Sequence, residues 1–247
     1  MKTFPMTDTG LQRKENEDYY FASDVELGNL PNLFIVADGM GGHNAGEYAS
    51  KYTVERVVAS ILRSSQTEPV SLIKEAIEKA NSLLLEESRS NESRRGMGTT
   101  LVCATIVGHK MYVANVGDSR LYIINRQIVQ VTRDHSLVEE MVRTGKVKIN
   151  DAKHHPDKNV ITRAVGVVED IAIDFFEVEL DDNDIVLLCS DGLTNMVDDE
   201  DIKNIICSHD SGEEQISTLI GFANQNGGKD NITAIIIKPF SDEVKKC

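Results

Sequence analysis

Thr99-Thr100-Leu101-Val102-Cys103-Ala104-Thr105-Ile106-Val107, then Gly108-His109, then Lys110-Met111-Tyr112-Val113-Ala114-Asn115-Val116 decide the fold class. Two apolar, β-branched runs around a two-residue turn with glycine read as neighbouring antiparallel strands. The pattern continues at once, with strands expected over 120–125 and 127–132 around an Asn125-Arg126 turn. Pairings this short in sequence favour antiparallel sheets, because parallel strands need long crossovers.

Upstream, strands are expected over 18–22 and 33–37, then a helix over 47–63. Its Ala49, Tyr52, Val54, Val57, Val58 and Ile61 approximate helical spacing. A second helix over 70–89 carries Leu72, Ile73, Ala76, Ile77, Ala80, Leu83 and Leu84 on one face, and the charged stretch 88–95 reads as a surface loop. Downstream, a helix over 134–144 stops near Gly145, and the polar stretch 146–159 reads as an exposed excursion. Strands over 174–179 and 184–190, helices over 198–208 and 212–226, and a strand over 231–239 close the chain. Helices, then strands, then helices again make this an α+β protein with helices packed on sheets.

The 247 residues suffice for one full core, and neither a repeat nor a Pro/Gly-rich linker divides them. One domain over 1–240 with a short tail over 241–247 is the expectation. Apolar residues make up 40% and charged residues 27%, which excludes wholesale disorder. The net charge of −14 disfavours nucleic acid as a partner. It would also repel a phosphorylated substrate unless bound metal reversed the local potential. Cys103, Cys189, Cys207 and Cys247 form no CxxC pair and read as reduced thiols. No apolar stretch suits a signal peptide or a membrane span, so a cytoplasmic protein, monomeric by default, is expected.

Four aspartates sit where apolar runs meet turns. The run Leu33 to Ala37 leads into Asp38-Gly39, and Val113 to Gly117 leads into Asp118-Ser119. Ile185 to Ser190 leads into Asp191-Gly192, and Asp230-Asn231 precedes the run Ile232 to Ile237. Any one Asp-Gly pair can simply mark a turn. Together with Glu17-Asp18, however, they offer rigid anionic oxygens of the kind a hard cation takes. Mg²⁺ or Mn²⁺ is then expected rather than zinc, since no Cys/His cluster has zinc spacing. Gly39 lets the backbone approach closely, so its carbonyl could serve as a ligand or the glycine could merely turn the chain. Arg13 lies four residues before Glu17, which in an extended segment puts guanidinium and carboxylate on one face. That pair is either a phosphate-binding fork beside a metal ligand or a solvated charge cluster.

Thr7-Asp8-Thr9-Gly10, Arg13-Lys14-Glu15-Asn16-Glu17-Asp18 and Asp38-Gly39-Met40-Gly41-Gly42-His43 together resemble the metal-dependent protein phosphatases of type 2C, bacterial branch. Gly98-Thr99-Thr100, Gly117-Asp118-Ser119-Arg120, Thr132-Arg133-Asp134-His135-Ser136, Ile161 to Gly166, Ser190-Asp191-Gly192 and Asp230-Asn231-Ile232-Thr233 follow in the family's order. The resemblance implies two antiparallel sheets sandwiched between pairs of helices. It implies hydrolysis of phosphoserine and phosphothreonine by a water bridging two Mn²⁺ or Mg²⁺ ions, in opposition to a bacterial Ser/Thr kinase. Carried over, Asp38 bridges the ions and Gly39 offers its carbonyl. Asp191 and Asp230 complete one ion's shell, and Glu17 holds water on the other, with Asp18 in support. Asp118 with Asp191 forms a third site. Arg13 binds substrate phosphate, Asn231 orients Asp230 or a water, and 146–166 is the flap over the substrate. Many eukaryotic members carry a histidine two residues after the first aspartate, as proposed general acid. Met40 stands there, and His43 either protonates the leaving oxygen or packs and caps the next helix. Readings from other classes are a binding module that has lost turnover and a different metal-dependent phosphoesterase such as a nuclease. None of the metal aspartates is missing, which disfavours the first; the acidic charge disfavours the second.

Overall fold

The computed structural model describes residues 1–42, 45–152, 155–208 and 211–240. The first half runs β1 (Lys2–Asp8), β2 (Asp18–Ser23), β3 (Leu33–Met40), α1 (Ala45–Arg63), α2 (Pro69–Ser90), β4 (Gly98–Thr99), β5 (Leu101–Val107) and β6 (Lys110–Val116). The second runs β7 (Arg120–Ile124), β8 (Ile128–Gln130), α3 (Leu137–Arg143), α4 (Ile149–Ala152), β9 (Asp174–Glu179), β10 (Ile185–Cys189), α5 (Asp191–Thr194), α6 (Asp199–Ser208), α7 (Gly212–Gln225) and β11 (Ile232–Lys238).

The Gly108-His109 hairpin pairs Leu101 with Val116 and Val107 with Lys110, in the register its turn dictates. Strands join into two antiparallel sheets, one ordered β1-β11-β10-β7-β8 and the other β2-β3-β5-β6-β9, with β4 added on β3. Their faces meet in a core that includes Phe34, Val36, Val102, Leu121, Val186, Leu188, Ile235 and Ile237. On the outer face of the second sheet, Ile35 and Cys103 pack with Val57 and Ile61 of α1 and Ile73 and Ile77 of α2. On the outer face of the other, Leu187 and Ile236 pack with Ile202 and Ile206 of α6 and Ile216 and Leu219 of α7. Ile35 and Val36 are sequence neighbours in different cores, because alternate side chains leave opposite faces of a strand. This explains why β3, β10 and β11 read as unbroken apolar runs: both their faces are covered. The architecture is the expected α+β sandwich of helices, two sheets and helices.

Several boundaries differ from the sequence reading. β1 was not anticipated, because Pro5 argues against a strand interior; β1 is an edge strand, where a missing N–H costs no ladder bond. The strand expected over 99–107 breaks at Thr100, whose backbone and side chain both turn to Asp38. The helix expected from 134 starts at Leu137, since Ser136 caps it by accepting from Glu139 N at 3.2 Å. The charged stretch 88–95 contains a turn of 3₁₀ helix over Glu92–Arg94, and the excursion after Gly145 contains α4. His43, residues 153–154 of the flap and the tail 241–247 lie outside the described residues.

Candidate active site

Strand tips and loops from both sheets converge on a cleft of about 270 Å³. Arg13, Glu17, Asp38, Gly39, Asp118, Asp191, Asp230 and Asn231 all line it, with Asn159 and Ile161 reaching it from the flap. Asp18 does not line it. It lies opposite Asp38 in the β2–β3 register, buried, and its Oδ2 accepts from Ser190 Oγ at 2.7 Å. A larger surface groove of about 430 Å³, lined by Ser82, Leu85, Glu86, Arg89, Ser90 and Glu169, shares none of the cleft's residues. Its charged groups are Glu86 and an exposed Arg89–Glu169 ion pair at 2.9 Å rather than a cluster of buried carboxyls, so chemistry rather than size selects the carboxylate cleft.

Asp38 is held by its backbone. Its N–H donates to Thr100 Oγ1 at 2.9 Å, while its carbonyl accepts from Thr100 N at 2.8 Å and from Thr99 Oγ1 at 2.9 Å. Thr100 Oγ1 also lies 2.7 Å from Ser119 Oγ, tying the Asp38 strand to the turn that carries Asp118. Next door, an added Cβ on Gly39 would sit 2.0 Å from the Gly46 carbonyl, so only glycine lets α1 approach β3 this closely.

Glu17 is fixed from several sides. Its N–H donates to Asn231 Oδ1 at 2.8 Å, and its carbonyl accepts from Gly39 N at 3.0 Å and from Ser50 Oγ at 2.6 Å. Its carboxylate accepts from Gly46 N in the first turn of α1, where a helix favours negative charge. Arg13 Nη2 donates to Asp230 Oδ2 at 2.8 Å, and Nη1 lies 4.0 Å from Glu17 Oε2. Guanidinium and carboxylate are adjacent as the spacing suggested, although 9–17 is a loop rather than an extended strand. Asn231 Nδ2 donates to the Thr9 and Glu15 carbonyls, each at 2.9 Å, so this side chain shapes the loop that presents Arg13 and Glu17. Asp230 Oδ1 accepts from the Asn231 backbone N–H at 2.9 Å. Asp191 opens α5, and Asn195 Nδ2 donates to its Oδ2 at 2.9 Å. Lys158 of the flap donates in turn to Asn195 Oδ1 at 3.0 Å, which fixes the amide's orientation.

These carboxyls repel one another in a setting poor in water. Burial above all, then the charges of Asp18, Asp191, Asp118 and Asp230, pushes Asp38 well above the usual carboxylate range. Burial and neighbouring carboxylates likewise push Asp18 up to about 7, Asp118 to about 8 and Asp191 to about 6. Glu17 is raised by burial, against the pull of Arg13. Two buried oxygens, Asp18 Oδ1 and Asp191 Oδ1, find no hydrogen-bond partner in the protein. Crowded hard oxygens, raised pKa values and orphaned acceptors together fit a divalent cation. Among the described residues no three His, Cys, Asp or Glu side chains close on one point as a ready ligand set. An ion that keeps several waters, as Mg²⁺ does, suits this open arrangement.

The profile of the family described as protein phosphatase 2C matches residues 12–228. The chain belongs to this family. It is 39% identical over 239 residues to the serine/threonine phosphatase stp of Listeria welshimeri, covering 94% of this chain and 93% of that one. Its structure resembles serine/threonine phosphatase Stp1 from Staphylococcus aureus with a TM-score of 0.89 at 36% identity, over 95% of this chain and 93% of that one. It also resembles the catalytic domain of serine/threonine protein phosphatase PstP in complex with two manganese ions, with a TM-score of 0.84 at 29% identity, over 95% and 96% of the two chains. Membership of the 2C phosphatases makes the chain a metal-dependent phosphoprotein hydrolase. Thr99, Thr100, Ser119 and Asn195 hold this phosphatase's cleft residues in place, and Ser190 holds Asp18 behind them. The first three and Ser190 stood in the sequence motifs without a role of their own, and Asn195 was not noted. Ser119 and Ser190 carried a signal, a small polar residue beside an aspartate, that cannot be separated from turn chemistry. Thr99, Thr100 and Asn195 meet their aspartates only through the fold.

Proposed function

We propose that residues 1–240 form a single catalytic domain that removes phosphate from phosphoserine and phosphothreonine in proteins, using Mn²⁺ or Mg²⁺ held in the carboxylate cleft. In this reading Asp38 would serve both core ions. The Gly39 carbonyl, Asp191 and Asp230 would complete one set, Glu17 would serve the other with Asp18 behind it, and Asp118 with Asp191 would hold a third ion. The observation that carries it is the convergence on one cleft of Asp38 with Glu17, Gly39, Asp118, Asp191 and Asp230. Burial first, then the charges of Asp18, Asp191, Asp118 and Asp230, opposes the ionisation of Asp38, which fits a carboxylate that cations would share. When bound, the ions supply the water nucleophile and polarise the phosphoryl oxygens.

The chain's own residues do the rest. Thr99 and Thr100 lock the Asp38 backbone, so the central carboxylate need not reorganise during reaction. Arg13, about half exposed, swings its guanidinium between Asp230 and the phosphoryl group and holds the oxygens that face away from the ions. Asn231 keeps the Arg13–Glu17 loop against the cleft. Asn159 and Ile161 bring the flap to the substrate's side of the site. His43 remains the proposed proton donor to the leaving oxygen, and the metal reading does not depend on it. Substrates are the products of a bacterial serine/threonine kinase, in keeping with the bacterial relatives. A cytoplasmic location is supported by the buried thiols of Cys103 and Cys189, which form no disulfide among the described residues. Among the described residues no helix is long and apolar enough to cross a membrane.

The test is hydrolysis of a phosphothreonine peptide with Mn²⁺, with EDTA, and by Asp38→Asn. Turnover should require the metal and vanish in the folded variant. Turnover that survives EDTA, or a near-wild-type Asp38→Asn enzyme, refutes the reading.

A further inference from the structure

The turn carrying Asp118 is grasped by a residue with no assigned role. Gly117 has φ +107°, and an added Cβ would sit 2.7 Å from the Thr100 side chain, so its peptide is tightly confined. His135 bonds both edges of Gly117: its N–H donates to the Gly117 carbonyl at 3.0 Å, and its ring Nδ1 lies 3.0 Å from the Gly117 N–H. Asn115 Nδ2 adds a third hold on the Gly117 carbonyl at 3.2 Å. A backbone N–H can only donate, so Nδ1 must be the bare, accepting nitrogen. The ring proton therefore sits on Nε2, which lies 3.1 Å from Asp174 Oδ2 and donates to it. Arg163 Nη1 also lies 3.1 Å from Nε2, but with that nitrogen protonated its bond goes to Asp174 Oδ1 at 2.7 Å. Asp174 opens β9 directly opposite Asn115 of β6, so the orienting carboxylate stands on a strand of the same sheet. The imidazole itself is 5% exposed.

A buried imidazole with one nitrogen held by a carboxylate and the other aimed at one peptide is a fixed acceptor. Resting on the proposed ion role of Asp118, we infer that His135 is a positioning residue: its bare Nδ1, oriented by Asp174, sets the Gly117 peptide and with it the direction of the Asp118 carboxylate. Partners at one remove from a metal ligand typically alter affinity or activity by about 10–100-fold when lost.

Asparagine and glutamine at position 135 separate this role from plain packing. Asn can place its oxygen where Nδ1 was and keep the Gly117 bond; Gln places its amide nitrogen near Nε2 and keeps the Asp174 bond only. Calorimetric Mn²⁺ titration is expected to show the weakest class of sites reduced about tenfold or more in His135→Gln. His135→Asn should stay within about threefold of wild type, a small residue of that same positioning cost. On a phosphothreonine peptide, kcat should follow the same order while KM stays nearly constant. Equal binding and kcat in His135→Gln and wild type, or equal damage in His135→Asn and His135→Gln, overturns the inference. Asp118→Asn, run alongside, tells the two failures apart. If it too binds and turns over like wild type, the ion role of Asp118 is wrong and the inference falls with it; if it is impaired while His135→Gln is not, only the inference falls. Independently of folding in any variant, ¹⁵N shifts of wild-type His135 must report the Nε2–H tautomer, and an Nδ1–H ring refutes the assignment.

Discussion

Removing the metal should make this phosphatase lose stability as pH rises, and Asp118→Asn should abolish much of that loss. Asp118 is held at about 8 in the folded chain, whereas an unfolded aspartate titrates near ~3.9. Between those values the folded state binds more protons than the unfolded one, so stability is greatest at low pH and declines as pH climbs toward 8. One such carboxyl loses up to ~4 kcal/mol between pH 5 and 8, at about 1.4 kcal/mol per unit. Asp18, Asp38 and Asp191 titrate with it as a unit, so a share of about 2–4 kcal/mol is assigned to Asp118 itself. For a chain of this size that is roughly 5–15 °C in Tm. His135, whose pKa burial lowers, acts with the opposite sign below about pH 6.5. It is common to both proteins and cancels in their difference. The assay is thermal unfolding in EDTA from pH 5 to 8.5. Asp118→Asn should match wild type near pH 5 and exceed it near pH 8, and saturating Mn²⁺ should reverse the order. A variant no more stable than wild type at pH 8, or equally stabilised at both ends, refutes the electrostatic reasoning.

Two substitutions probe the cleft's other components. Arg13→Ala should raise KM for a phosphopeptide about tenfold or more, the worth of a charged hydrogen bond of ~1.5–3 kcal/mol, while Mn²⁺ affinity changes little. Equal losses in both measurements would contradict a phosphate-binding role. Thr100→Val keeps the side chain's shape but strips the acceptor from the Asp38 N–H, 2.9 Å away. It should cost about 1–3 kcal/mol in chemical denaturation and weaken Mn²⁺ binding about tenfold; unchanged metal affinity would show that Asp38 is positioned by other contacts.

The fold was legible where burial is two-sided or hairpins are short. Leu33 to Ala37 and Ile232 to Ile237 announce themselves because each face of β3 and β11 meets a core. β1 stayed hidden because Pro5 reads as a breaker unless the strand is known to lie at an edge. The aspartates were visible as junctions between apolar runs and turns, and the family motifs sorted them into roles. Depth was not visible: only the pairing of Asp18 with Asp38 reveals that Asp18 stands behind the cleft, bonded to Ser190. The grip of His135 on Gly117 was equally illegible, since residues eighteen apart meet only through the path from β6 through β7 and β8.

Anomalous diffraction from crystals soaked in Mn²⁺ decides the arrangement around Asp38. Two strong peaks should both contact its carboxylate, one of them also contacting Asp191 and Asp230, with a weaker third beside Asp118. A single peak, or two that leave Asp38 untouched, would contradict the shared-carboxylate site.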